Sequence, residues 1–119
     1  MKRYESLMKS DIKYIEHILE SIKYIEHFMK GVTSNEFFEN VEKQYAVVRA
    51  LEIIGEAVKN ISSEYRTNYP YIPWREIAGT RDILIHAYFS VDLPAVWDMV
   101  DKDLPDLKQK LKDILNKEE

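Results

Sequence analysis

The sequence holds 119 residues, 45% apolar and 32% charged, which fits one globular domain over 1–119 and excludes a disordered chain. It contains no cysteine, which excludes disulfide frameworks and thiolate metal sites, and no apolar run approaches the roughly 18 residues a membrane helix needs. A formal net charge of −4 excludes a uniformly basic nucleic-acid surface, so any contact with RNA has to come from a local cluster of cations.

The N-terminal MKRYESLMKSD carries the charges of a signal peptide without the apolar stretch that should follow, and the expectation is a cytoplasmic protein with no membrane partner. From about Tyr4 to Lys30, Met8, Ile12, Ile15, Leu19, Ile22 and Met29 recur mostly at helical steps. Tyr14, Ile18, Ile25 and Phe28 widen that stripe. The echo IKYIEHI and IKYIEHF, ten residues apart, is too short and too few for a solenoid and is read as local composition. Gly31 is placed to stop this helix, and Thr33-x-x-Glu36 forms a capping box for the next.

The spacing predicts a second helix from about Asn35 to Tyr65. Its larger stripe is Val41, Val48, Leu51, Ile54, Val58, Ile61 and Tyr65; its smaller one is Ala46, Ala50, Ile53 and Ala57. A helix apolar on two sides is a central helix with partners on both flanks. Gly55 inside it costs about 1 kcal/mol relative to Ala, which close approach by a neighbouring helix would offset. Pro70 and Pro73 bracket an irregular connection. A short helix is expected over Trp74 to Ala78, a break or cap at Gly79-Thr80, and more helix from Arg81 to Phe89. Asp92 or Ser90 can cap a helix bearing Leu93, Val96, Trp97 and Val100. Pro105 is expected to interrupt it, because the residue before a proline is pushed out of helical geometry. The last helix carries Leu107, Leu111, Ile114 and Leu115. Strand signals are missing, and the expected fold is all-α, an up-and-down bundle of four to five helices.

The segment Arg81 to Tyr88 holds the chemistry. At about 100° per residue, Arg81, Asp82, Ile85, His86 and Tyr88 share one arc of the helix, and Ile83, Leu84 and Ala87 fill the opposite one. A large aliphatic residue, Ile85, amid the polar arc suits a face that meets a second subunit, where a partly desolvated patch strengthens charges and moves pKa values. Taken singly, each residue has a structural reading: a half-buried histidine, an ion-paired Arg81, an Asp82 favouring a helix start, a packing Tyr88. Their joint placement favours a site. His17 and His27 have no second histidine three or four residues away, so a metal site on them is not expected. Arg49, Glu52, Glu56 and Lys59 form a row of solvated ion pairs by default, with Glu56 or Arg49 lining the site as the lesser alternative. There is no phosphate-cradling glycine loop and no carboxylate cluster of the metal-nuclease kind, so neither a cofactor nor a metal is expected.

The string Arg81-Asp82-Ile83-Leu84-Ile85-His86-Ala87-Tyr88 fits Arg-polar-x-x-x-His-x-Tyr and resembles the signature of HepT-type toxins of the HEPN superfamily. YAVVRALEIIGEAVKNIS resembles that family's central helix, and IPWREIAGTRDILIHAYFSVDLPAVWDMVDKDLPDLKQKL its C-terminal half. The resemblance implies an all-helical homodimeric ribonuclease toxin, paired with a minimal nucleotidyltransferase antitoxin. It also implies catalytic Arg81 and His86, a supporting Asp82, and Tyr88 as the position modified with AMP. Some HEPN proteins are inert partners of nucleotidyltransferases, which leaves a non-catalytic nucleotide-binding or docking module as the alternative, with a plain interaction bundle behind it.

The residues suit metal-independent cleavage, because RNA carries its own nucleophile in the 2′-hydroxyl and needs a base, an acid and charge stabilisation. Histidine titrates near neutrality, and a guanidinium offers forked donors to a phosphorane. One histidine does not easily serve as both base and acid, whereas a two-fold interface supplies two.

Overall fold

The computed structural model describes the backbone of residues 2–86 and 92–118 and the side chains of residues 8–80 and 92–117. It is helical, with no strand among the described residues. The elements are α1 (Lys2–Met29), α2 (Ser34–Glu39), α3 (Val41–Lys59), α4 (Ser63–Asn68), α5 (Trp74–His86), α6 (Leu93–Asp98), a π-helical turn (Met99–Asp103) and α7 (Leu104–Glu118).

Helix α1 ends where the sequence predicts, at Gly31 with φ +73°, a left-handed conformation that glycine adopts without steric cost. Thr33 then caps α2, its hydroxyl accepting from the Glu36 amide at 3.2 Å. The single helix expected from Asn35 to Tyr65 is three. Asn40 leaves helical geometry (φ −105°, ψ 97°) and its side chain accepts from the Lys43 amide at 3.0 Å, ending α2 and starting α3. Ser62 does the same for α4, accepting from the Tyr65 amide at 3.2 Å. Apolar periodicity ran unbroken across both caps, because short polar side chains can sit on a helix surface or compete with the backbone at its end.

Helix α3 is the central element: it packs along α1 on one flank and α5 on the other, while α1 also touches α7, and α2 touches α3 and α6. Its buried side comprises Val47, Val48, Leu51, Ile54, Gly55 and Val58, with Ala50 and Ala57 turned toward α1. Ile15, Ile18, Ile22 and Ile25 of α1 and Leu107, Leu111 and Ile114 of α7 complete the core. Phe37 of α2 is fully buried, 6.0 Å from the Trp97 ring.

Asp11 fastens α1 to the entry of α4. It is only 3% exposed, yet its two carboxylate oxygens accept from the Ser62 amide at 2.7 Å and the Ser62 hydroxyl at 2.6 Å. Hydrogen bonds to a charged group contribute about 1.5–3 kcal/mol, so this contact offsets the desolvation of the carboxylate.

Two expectations about the C-terminal half are corrected. Gly79-Thr80 does not break the chain: α5 runs unbroken from Trp74 to His86, and the Thr80 hydroxyl donates back to the Glu76 carbonyl at 2.9 Å. Pro105 does not interrupt its helix either. Leu104 keeps φ −65° and ψ −41°, and its amide reaches five residues back, to the Met99 carbonyl. The wider π-helical turn takes up one residue just before the proline ring and its missing N–H, so α6, the turn and α7 form one rod. The same turn absorbs two successive four-residue steps, Val96 to Val100 to Leu104, which overshoot the 3.6-residue repeat.

Candidate active site

Helix α5 positions the candidate residues. Its first turn is anchored by Trp74, which is buried, donates from its indole Nε1 to the Tyr69 carbonyl at 2.9 Å, and meets the Tyr65 ring edge-on at 6.5 Å. Three residues on, Ile77 and then Thr80 face Leu51 and Ile54 across a cavity of about 510 Å³. Helix α5 packs along α3 from this anchored end.

Arg81, Asp82 and His86 thus stand on one continuous helix, in its last two turns, so the rotational phase assumed from the sequence holds through His86. Their side chains lie outside the described residues, as does Tyr88 altogether. Gly55 is buried in α3, the helix against which α5 packs.

The row on α3 is as the sequence suggests. Arg49 donates to Glu52 at 3.3 Å, with Arg49 71% exposed and Glu52 only 17%. A pair with one open end contributes little to stability. His17 lies in the groove between α1 and α3, edge-on to the Tyr14 ring at 6.2 Å. His27 sits 6.4 Å from the Phe28 ring. Among the described residues no three His, Asp or Glu side chains gather as a metal site would require.

Sequence reasoning missed that α1–α3 groove, which Tyr24 and Ile53 line. The second apolar stripe of α3 runs along it, and its Ile53 remains 39% exposed after folding. The 510 Å³ cavity was missed as well. Its lining mixes apolar groups with Glu76, Asp103 and Asp106 against the single cation Lys102, a poor match for a polyanion.

Residues 18–114 match the family described as ribonuclease HepT-like, and the chain belongs to that family. It is 43% identical over 111 residues to a Caldanaerobacter subterraneus protein named "Putative RNase", covering 93% of this chain and 99% of that one. It is 45% identical over 104 residues to the "Probable ribonuclease HepT" of Thermococcus cleftensis, covering 87% of this chain and 94% of that one. A Methanocaldococcus jannaschii protein named "Gamma-glutamylcyclotransferase and putative RNase" is 49% identical over 109 residues, 91% of this chain; the chain spans about half (49%) of that longer relative. No solved structure matches the chain. No helix among the described residues is long and apolar enough to cross a membrane.

Proposed function

We propose that the chain is a metal-independent endoribonuclease, the toxin of a toxin–antitoxin pair, with Arg81 and His86 as its catalytic residues and Asp82 in support. The observation that carries this reading is the unbroken helix α5, which keeps Arg81 and His86 five residues apart on one rigid support inside the matched region. In the reaction, a base takes the 2′-hydroxyl proton as the 2′-oxygen bonds to phosphorus. The bond from phosphorus to the 5′-oxygen breaks, and an acid supplies a proton to that leaving oxygen. His86 of each of two copies provides the base and the acid, and the Arg81 guanidinium neutralises the charge on the pentacoordinate phosphorus. The products are a 2′,3′-cyclic phosphate and a 5′-hydroxyl. Purified protein is expected to release these ends from RNA in excess chelator. Ends of the opposite polarity, or no cleavage, would defeat the proposal.

Silencing is proposed to follow from adenylylation of Tyr88 by a nucleotidyltransferase antitoxin. An AMP group adds bulk and negative charge two residues from His86, where it competes with substrate phosphate for Arg81. Intact-mass analysis after co-expression with such a transferase should show added AMP on the wild-type chain and none on Tyr88→Phe; a fully modified Tyr88→Phe protein would reject the assignment.

A further inference from the structure

A chain of net charge −4 needs a local cluster of cations to hold RNA, and one forms at the head of α5. An open hollow of about 480 Å³ is lined there by Arg66, Tyr71 and Arg75, with Glu76 as the one acid in the lining. Arg66 is committed to the fold, its Nη2 donating to the Val58 carbonyl at 2.6 Å. Arg75 is not: it is exposed, and among the described residues it pairs with no carboxylate. The Tyr71 ring beside it is 47% exposed. An open aromatic face next to an unengaged guanidinium suits an unpaired base and its phosphate.

The rotational phase of α5 connects this cluster to the candidate catalytic residues. At about 100° per residue, Arg75, Gly79, Asp82 and His86 fall within an arc of about 60°. Arg75 and His86 lie about 16 Å apart along the axis, the reach of a few nucleotides of extended strand. Glu76 stands about 100° away from Arg75 and also lines the 510 Å³ cavity. Gly79 is the independent observation. A glycine inside a helix lowers its stability, yet a Cβ at position 79 would meet nothing within 4 Å. No contact among the described residues calls for it. It leaves bare backbone between Arg75 and Asp82, where a ligand strand can lie close to the helix.

We propose that this stripe of α5 is the track along which single-stranded RNA reaches His86. Arg75 holds a phosphate away from the scissile bond, Tyr71 stacks a base, and Gly79 lets the strand pass close. The inference rests on the ribonuclease reading above and adds positioning residues to it. Single strands are the substrate class, because a base within a duplex offers Tyr71 no open face.

The test is fluorescence anisotropy with a labelled RNA of about 12 nucleotides, 2′-O-methylated so that it cannot be cleaved, beside cleavage of the unmodified strand. Arg75→Ala should raise the Kd by about tenfold and make the slope of log affinity against log salt shallower by about 0.7, one phosphate's share. Arg75→Lys should keep that slope. In cleavage, the loss should fall in KM and not in kcat. Gly79→Gln should melt at or above the wild-type temperature, yet weaken RNA binding about as much as Arg75→Ala does. Tyr71→Ala should weaken the single strand by about fivefold or more and leave a duplex of the same sequence unaffected. Unchanged Kd and salt slope in Arg75→Ala, or wild-type affinity in Gly79→Gln, would overturn the track; if those proteins still cleave RNA, the ribonuclease reading stands. Arg75-dependent binding without any cleavage would remove the ribonuclease reading and keep the track. A Gly79→Gln chain whose mass in solution changes while its RNA affinity does not would give this face to a protein partner and likewise overturn the proposal.

Discussion

His86→Ala should lower the single-turnover rate of RNA cleavage by about 10²- to 10⁴-fold, the range a positioned acid–base group contributes, or about 3–5.5 kcal/mol of barrier. The substitution sits near the end of α5, after the anchoring contacts of Trp74 and Ile77 with the core, so helix content and melting temperature should change little. The pairing of lost rate with kept fold is what separates a catalytic histidine from a structural one. Arg81 stands in the same two turns, and its loss should act on the same step, so the two effects should be less than additive. A His86→Ala protein that cleaves at the wild-type rate would remove the catalytic assignment, and one that unfolds would favour a packing role.

Phe37→Ala should be the most damaging single truncation outside the site. Phe37 is fully buried, is the buried residue of the six-residue α2, and packs on Trp97 while its carbonyl accepts from the Gln44 side chain at 3.0 Å. Replacing a buried phenylalanine with alanine costs about 3–5 kcal/mol, a large share of the 5–15 kcal/mol that holds a typical domain folded. A helix as short as α2 has little stability of its own, so removing its anchor frees the connection between α1 and α3. Urea unfolding should show the midpoint falling with the slope kept. A loss below about 1 kcal/mol would mean that α2 is not held by this ring.

Much of the fold was legible because the core repeats at helical spacing over long stretches. The isoleucines of α1, the two stripes of α3 and the leucines of α7 all carry that signal, and α3 proved central for the reason its two apolar sides gave. What stayed hidden were boundaries decided by single side chains. Asn40 and Ser62 end helices by capping, yet neither disturbs the apolar rhythm around it. Gly79 looked like a break, but a glycine within a well-anchored helix only lowers its stability. The linkage of Asp11 to Ser62 joins positions 51 residues apart, beyond the reach of any local pattern. For the candidate site, the helical phase of Arg81, Asp82 and His86 could be read from spacing alone. The groove between α1 and α3 could not, because a stripe that meets a neighbour and one left open have the same periodicity.

The π-helical turn at Met99–Asp103 makes the orientation of the last helix depend on chain length. With one residue fewer there, an ordinary α-turn would form, and all of α7 would rotate by about 100° about its axis. Leu107, Leu111 and Ile114 would swing off the core, and Lys108 would leave Glu26, which it now meets at 2.9 Å. A single insertion or deletion in these five positions would thus re-aim everything beyond them, and the turn acts as a fixed gear between the two halves of the rod.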